Sequence, residues 1–254
     1  MSARAVMNMG RAVLFGALLA CTAPAFAQDA PSTMPPGLRP YYDTLLAEGE
    51  WGAVLNLQRL GLEAIDQGNL GVAERPFVET LERIELIYAN SDSAKKARSL
   101  WSSEGSKDFK GEPYERAMTY YYRGLLFMAR GDYENARASF RSAEYQDTIS
   151  SSETYAGDFG MMSLLSGWSS TCAGDAGMAT DFYQRAATQQ PEGLKPPVAG
   201  RTTLVLVESG TSPVKTATGS YGEAMQLKRG DNPFVSAHVG TQELPVLGDI
   251  GWQA

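Results

Sequence analysis

Apolar and polar residues in the middle of the chain follow a helical period that is interrupted at fixed places. In the stretch GLLFMARGDYENARASF, Gly124 precedes a Gly-Asp-Tyr break, and Ala136 and Phe140 follow it four residues apart. Gly131 can end one helix in a left-handed conformation, and Asp132 can cap the next helix. Ala136 and Phe140 then share one helix face, where the aromatic ring fills the space beside the small residues. The stretch therefore predicts a hairpin of two α-helices.

The same arrangement recurs, which indicates a repeat. A shift of 43 residues along the sequence places equivalent residues at Gly167, Gly174, Ala179 and Tyr183. A weaker copy lies 63 residues upstream, at Gly61, Gly68, Asn69, Ala73 and Phe77. Three copies with small residues at fixed positions predict stacked helix pairs, here over residues 41–191.

After residue 191 the pattern changes to one typical of short strands. Residues 192–201 are rich in proline and glycine and are interpreted as a linker. The strand candidates that follow are 202–208, Ala224–Lys228, 234–239 and 243–247. The predicted fold class is mainly α with a small β part: helical hairpins followed by a small β module at 202–254. A module of this size is marginal alone, so we expect it to pack against the helices.

The N-terminus is typical of an export signal. Residues 1–27 contain Arg4 and Arg11, then a short apolar run, and they end in Ala-Phe-Ala. A competing interpretation is a lipoprotein signal, because Leu-Leu-Ala precedes Cys21 and this cysteine would then carry the lipid. Residues 28–40 are predicted to be a flexible segment. The chain is thus expected in the periplasm, or anchored to the outer membrane if Cys21 is lipidated.

Composition narrows the chemistry. The 254 residues carry a formal net charge of −7, which argues against nucleic acid as a partner and leaves a lipid anchor as the membrane contact. His238 is the single histidine, so a multi-histidine metal site is excluded and a Ser-His-Asp triad is disfavoured. Cys172 is the one cysteine beyond the signal and is expected to be buried and inert. We expect no metal, cofactor or disulfide.

The first helices of the two clearer hairpins carry an apolar surface. The register places on it Met118, Tyr121, Leu125 and Met128 in one hairpin and Met161, Leu164, Trp168 and Thr171 in the next. One interpretation is that the rest of the chain covers these side chains, as apolar stripes usually are. The other is an open groove for an apolar helix or an extended peptide, with Tyr121, Leu125 and Trp168 as the main contacts.

A second candidate contact is polar and lies at the start of a helix. Tyr114, Glu115 and Arg116 could reach a partner from the preceding loop. The alternative is a capped helix start in which the glutamate and arginine form a local pair.

The repeat resembles the tetratricopeptide family, well over 120–143, fairly over 163–191 and weakly over 57–77. Spacings of 43 and 63 instead of 34 depart from that family and imply insertions, including residues 91–111. Members that clamp a peptide carboxylate line the groove with basic residues and asparagine, which are missing here. The chain also resembles a poorly characterised group of bacterial envelope proteins, often lipoproteins, most specifically in the EPYER motif at 112–116. Longer C-terminal regions in that group imply that the β module here is a shortened one.

These resemblances imply a non-catalytic interaction or assembly scaffold in the cell envelope, whose partner is another envelope protein or a peptide. An enzymatic alternative comes from ESGTSPVKTATGSYGEAMQL, which resembles the catalytic motif of lytic transglycosylases. Its matching residues are Glu208, Ser209, Pro213, Met225, Gln226 and Leu227. In this alternative Glu208 is the general acid and base that acts on peptidoglycan. The strand-like character of residues 202–207 opposes it, because the motif's glutamate ends a helix.

Overall fold

The computed structural model has the predicted fold class, mainly α with a small β part. It describes residues 6–8, 34–89, 111, 113–148, 159–190, 194–198, 200–208, 211, 214–219, 224–228, 236–244, 246 and 247. The chain divides into two compact units. The first unit is Arg11–Ser150, and the second comprises Met1–Gly10 and Ser151–Ala254. The predicted helical domain at 41–191 therefore spans the boundary between the units.

Six α-helices account for most of the described residues. The first unit contains α1 (Arg39–Asp66), α2 (Leu70–Ala89), α3 (Pro113–Ala129) and α4 (Tyr133–Thr148), and the second contains α5 (Gly160–Cys172) and α6 (Ala176–Gln189). A 3-10 turn at Pro36–Leu38 leads into α1, and Leu38 is fully buried. The prediction of a flexible segment at 28–40 is therefore wrong for its last residues, because the side chain of Leu38 belongs to the core. Residues 28–33 lie outside the described part.

Helix α1 reverses direction at one residue. Gly49 has φ 61° and ψ −149°, which are not helical values, and the chain is helical on both sides of it. Across the reversal, the side-chain amide of Asn56 donates a hydrogen bond of 2.6 Å to the carboxylate of Glu48. Residues 36–48, which we call the arm and which include the 3-10 turn, therefore fold back along the rest of α1. The core beneath the arm contains Leu38, Leu60, Ala64, Ala73, Phe77 and Leu126.

The helices pack as antiparallel pairs: α1 with α2, α3 with α4, and α5 with α6. Within the first unit α2 also packs on α3, where the rings of Phe77 and Tyr122 stack with their centroids 5.9 Å apart. The three pairs correspond to the three copies of the sequence pattern. None of the helices in the described part is both long and apolar enough to cross a membrane.

The described strands are short and form three antiparallel two-stranded ladders, all in the second unit. The ladders are β1 (Val6–Asn8) with β2 (Thr203–Val205), β3 (Val214–Thr218) with β4 (Ala224–Lys228), and β5 (His238–Val239) with β6 (Gln242–Glu243). Strand β4 lies at its predicted position, whereas β3 was not predicted. Strand β1 falls inside the predicted export signal, whose other residues lie outside the described part.

The predicted linker at 192–201 has no regular structure where it is described, but it is anchored. Leu194 is buried and packs with Leu164 and Ala186 of the third hairpin. The backbone amide of Lys195 donates a hydrogen bond of 2.8 Å to the carbonyl of Leu247. The start of this segment is therefore part of the packing of the second unit, and it is not a free spacer there.

Candidate functional site

The three hairpins close in the same way. A glycine in the first helix faces an aromatic ring in the second, and a Cβ atom built on that glycine would lie closer to the ring than real Cβ atoms come. The pairs are Gly61 with Phe77 (2.8 Å to Cζ), Gly124 with Phe140 (2.8 Å to Cδ1) and Gly167 with Tyr183 (2.5 Å to Cε1). Glycine is therefore required because the ring occupies the space of a side chain. In each pair the glycine and the ring are the small and aromatic residues of the repeated sequence pattern.

The turns of the hairpins are also alike. Each contains a glycine of positive φ, and the next residue donates its amide to a carbonyl five residues back. These residues are Gly68 (φ 73°) with Asn69 to Ala64, Gly131 (φ 79°) with Asp132 to Phe127, and Gly174 (φ 82°) with Asp175 to Ser170. The left-handed conformation lets the chain satisfy the last carbonyls of the first helix within a very short turn.

The second helices begin at acidic caps in two of the hairpins. A carboxylate oxygen of Asp175 accepts a hydrogen bond of 3.0 Å from the amide of Met178. Asp132 accepts the equivalent bond, which is longer at 3.3 Å. Ala136 and Ala179 are buried in the same helices, as their position in the repeat predicts.

The predicted apolar first-helix surface is largely covered. Of the eight side chains predicted on this surface, Tyr121, Met128, Leu164 and Trp168 are each at most 6% exposed, whereas Leu125 is half-buried. The ring of Tyr121 packs at 6.4 Å from that of Phe140. The open-groove interpretation is therefore corrected for these four buried side chains, which pack inside the protein.

The second unit holds one unusual feature at Trp168. Its indole N–H is buried and has no hydrogen-bond partner within the described residues. The neighbouring buried hydroxyls of α5 are satisfied by the carbonyls one turn earlier: Ser166 by Met162, Ser169 by Leu165 and Ser170 by Ser166. Back-bonded hydroxyls of this kind let a serine-rich helix be buried without unpaired donors.

Arg116 has a structural position and does not face solvent. Its side chain is 3% exposed, and its guanidinium donates to the side-chain oxygen of Gln146 (2.8 Å) and to the carbonyl of Gly111 (2.7 Å). These bonds fasten the start of α3 to the end of α4 and to Gly111, which lies two residues before α3. Tyr114 and Glu115 are half-buried. The prediction of Arg116 as a binding residue is corrected, because its charged group is already engaged inside the fold.

Two arginines near the end of α3, which were not predicted as contact residues, lie against one aromatic ring of that helix. The guanidinium groups of Arg123 and Arg130 lie 5.3 and 4.3 Å from the ring centre of Phe127. Arg130 also pairs with Glu74 at 2.6 Å. Burial, followed by the charge of a nearby glutamate, raises the pKa of Tyr120 on the same face. Arginines four residues before and three residues after Phe127 share its helix face, and this spacing was the signal that could have located the cluster.

A shallow hollow of about 260 Å³ lies along the arm and is lined by Tyr41, Thr44, Asn56 and Arg59. The pKa of Tyr41 is raised, chiefly because its hydroxyl hydrogen-bonds the carboxylate of Glu63. The amide of Asn56 is already bonded to Glu48. The carboxylates of Glu48 and Glu63 thus already hydrogen-bond two of the polar side chains that line this hollow, which disfavours an anionic ligand there.

The structure does not support the geometry required by the enzymatic alternative. Glu208 is half-buried and follows β2 in irregular backbone, whereas the motif requires a glutamate at the end of a helix. The matching Met225, Gln226 and Leu227 lie in strand β4. Ser209 and Pro213 lie outside the described residues. The described residues of the motif therefore adopt a local structure that differs from the one the motif requires.

The isolated thiol and imidazole make no reactive site in the described structure. Cys172 is half-buried, less than predicted, and desolvation raises the pKa of its thiol to about 12, so the thiol is protonated at neutral pH. His238 is exposed in β5, and its Nε2 lies 3.0 Å from the hydroxyl of Ser236. The described residues contain no group of three or more histidine, cysteine or acidic side chains that could hold a metal. Cys21 and most of the predicted insertion at 91–111 lie outside the described part.

No protein-family model matches this chain, and no curated protein matches it significantly.

Proposed function

We propose that the protein is a non-catalytic interaction or assembly scaffold of the bacterial cell envelope, built from tetratricopeptide-like hairpins. The observation that carries the proposal is the closure of three hairpins by the same glycine and aromatic pair. Helical hairpins of this kind typically act by presenting helix faces to other proteins. The export signal, or a lipid on Cys21, would place the scaffold in the periplasm or at the outer membrane.

The proposed recognition surface lies on the first helix of the second hairpin, α3, and comprises fewer residues than the sequence predicted. On α3 the half-buried apolar side chains of Met118 and Leu125 lie two helical turns apart and therefore share one face. Tyr114, one turn before Met118, is also half-buried and extends this face. The partner is an envelope protein or peptide that offers an apolar helix or an extended apolar segment.

The test is affinity capture from envelope extracts with the full chain as bait, read out by mass spectrometry. A bait with Met118→Ala and Leu125→Ala removes the partly exposed apolar groups of α3. The matched control is Tyr145→Ala on α4 of the same hairpin, whose side chain is 62% exposed. We expect the double variant to capture at least about tenfold less of one specific protein than the unaltered chain does. The control should capture the same amount as the unaltered chain.

Two results would count against the proposal. A double variant that captures the same protein as the unaltered chain removes the α3 face from recognition. Loss of capture with Tyr145→Ala alone would place recognition on α4, the second helix of the hairpin, and would contradict the proposed surface. Circular dichroism spectra of all three baits must agree, so that loss of capture is not loss of fold.

A further inference from the structure

The turn at Gly49 depends on one residue. Its φ of 61° and ψ of −149° lie in a region that is populated almost only by glycine. A Cβ atom built there would meet nothing within 4 Å, so a side chain at this position is opposed by the backbone conformation and not by a clash. The turn between the arm and the rest of α1 therefore requires the backbone freedom of one glycine.

The sequence on both sides of Gly49 also suits an uninterrupted helix. Small and apolar residues recur at intervals of three or four through the turn, at Leu38, Tyr42, Leu45, Gly49, Ala53, Leu57, Leu60 and Ala64. In a straight helix these residues form one continuous stripe. A helical Gly49 would convert α1 into a single helix of 28 residues, about 42 Å long, with one apolar face.

The arm is held by contacts between side chains that lie far from the turn as well as near it. Tyr41 hydrogen-bonds Glu63, and the side chain of Gln67 lies against Gly37 at the opposite end from Gly49. Leu38 is buried in the core beside Leu60. None of these contacts needs the arm to belong to the same chain, because none involves the turn.

We infer that the arm exchanges between two copies of this chain and forms a domain-swapped homodimer, with Gly49 as the hinge. In the dimer Gly49 is helical, and the arm of each copy makes on its partner the contacts that it makes on its own chain in the monomer. Monomer and dimer then differ chiefly in the hinge and in the entropy of association. This self-association is independent of the proposed function, since it uses the arm and not the α3 face.

The first test is Gly49→Ala in the full chain. Alanine is strained at the observed φ and ψ but favours the helix, so it destabilises the monomer turn and stabilises the open hinge. The strain relieved at each hinge shifts its closed-to-open equilibrium constant by a factor of about five or more. The dimer contains two open hinges, so its Kd should fall by about 25-fold or more. The control is Gly71→Ala in α2, where a Cβ has open space and no hinge is involved.

Light scattering coupled to size-exclusion chromatography gives the dimer fraction over a range of concentrations. We expect Gly49→Ala to be mainly dimeric at concentrations where the native chain and Gly71→Ala are mainly monomeric. An unchanged monomer fraction in Gly49→Ala with native helix content would overturn the inference.

The second test keeps the native hinge, so it holds even if Gly49→Ala does not fold. Gly37→Cys and Gln67→Cys place thiols at the free end of the arm and on its docking site, with Cys21 and Cys172 replaced by serine. Samples are equilibrated at increasing protein concentration and then oxidised. The share of disulfide-linked dimer on a non-reducing gel should rise with concentration and disappear on reduction. Disulfides that stay within one chain at every concentration would refute exchange, even if a dimer of another kind forms.

Discussion

The glycine at the centre of the second hairpin gives the sharpest test of the packing. Gly124 lies in α3, and a Cβ added to it would be 2.8 Å from Cδ1 of Phe140 and closer still to the adjacent ring carbon. Both residues are buried, and the ring is 0% exposed. A Gly124→Ala change therefore forces the two helices apart or displaces the ring within a filled core.

Two effects of opposite sign decide the magnitude. Overpacking a well-packed core costs about 1–3 kcal/mol. Alanine in the middle of a helix gains about 1 kcal/mol over glycine. Because the ring of Phe140 has no exposed edge through which to move, the overpacking cost belongs at the upper end of its range. We expect a net loss of about 1–2 kcal/mol, or a Tm lower by about 2–8 °C for a chain of this size.

Urea and thermal unfolding followed by circular dichroism measure the effect. Gly71→Ala is the matched control, because a Cβ there meets nothing within 4 Å and helix propensity should stabilise it slightly. A double variant combines Gly124→Ala with Phe140→Leu, whose smaller side chain leaves room for the added methyl group. The sum of the two single losses should then exceed the loss of the double variant by about 1 kcal/mol.

The argument fails if Gly124→Ala is as stable as Gly71→Ala. Equal free energies of unfolding would mean that the ring of Phe140 can move aside, so that close packing does not require glycine at this position. Additive losses in the double variant would lead to the same conclusion, since they would show that the two residues do not compete for space.

Three further predictions follow from single side chains. Arg116→Ala should lower the free energy of unfolding by about 2–4 kcal/mol in urea titrations, because it leaves the oxygen of Gln146 without its charged donor. Asp175→Ala should cost about 1 kcal/mol by the same measurement, since the amide of Met178 loses its cap, while Asp175→Asn should retain most of it. Cys172, whose pKa is raised to about 12, should react with a disulfide reagent at pH 8 at least about 100-fold more slowly in the folded protein than in urea, and equal rates would contradict its burial.

Local spacing was enough to predict the hairpins. The positions of Gly124, Gly131 and Phe140 are fixed by contacts within about 16 residues, so the sequence itself contains both partners of each contact. Strand β4 was predicted for a similar reason, because its turn residues bound a short apolar segment. Strand β3 was missed because Val214–Thr218 alternates threonine with small or charged residues and has no apolar face.

Burial of the first-helix surface could not be predicted in the same way. Periodicity shows that Tyr121, Leu125 and Trp168 lie on helix faces, but it does not show which faces other parts of the chain cover. That depends on contacts between residues distant in sequence. The reversal at Gly49 was missed for a related reason: a lone glycine in a helical pattern is compatible with both a straight helix and a turn. The long-range contacts of the arm decide between them in the monomer.

The three hairpins differ at the position three residues after the aromatic ring, and this difference bears on what the repeat requires. Ala143 and Ala186 are buried in the second and third hairpins, whereas the first has Thr80 there, fully buried and with no partner for its hydroxyl within the described residues. An unpaired buried hydroxyl costs about 1–3 kcal/mol, yet this hairpin closes on Phe77 as the others close on their rings. Closure therefore depends on the glycine and the aromatic ring more than on the second small residue. The arm buries Leu38 in the core of this first hairpin, and that added burial offsets the cost of Thr80.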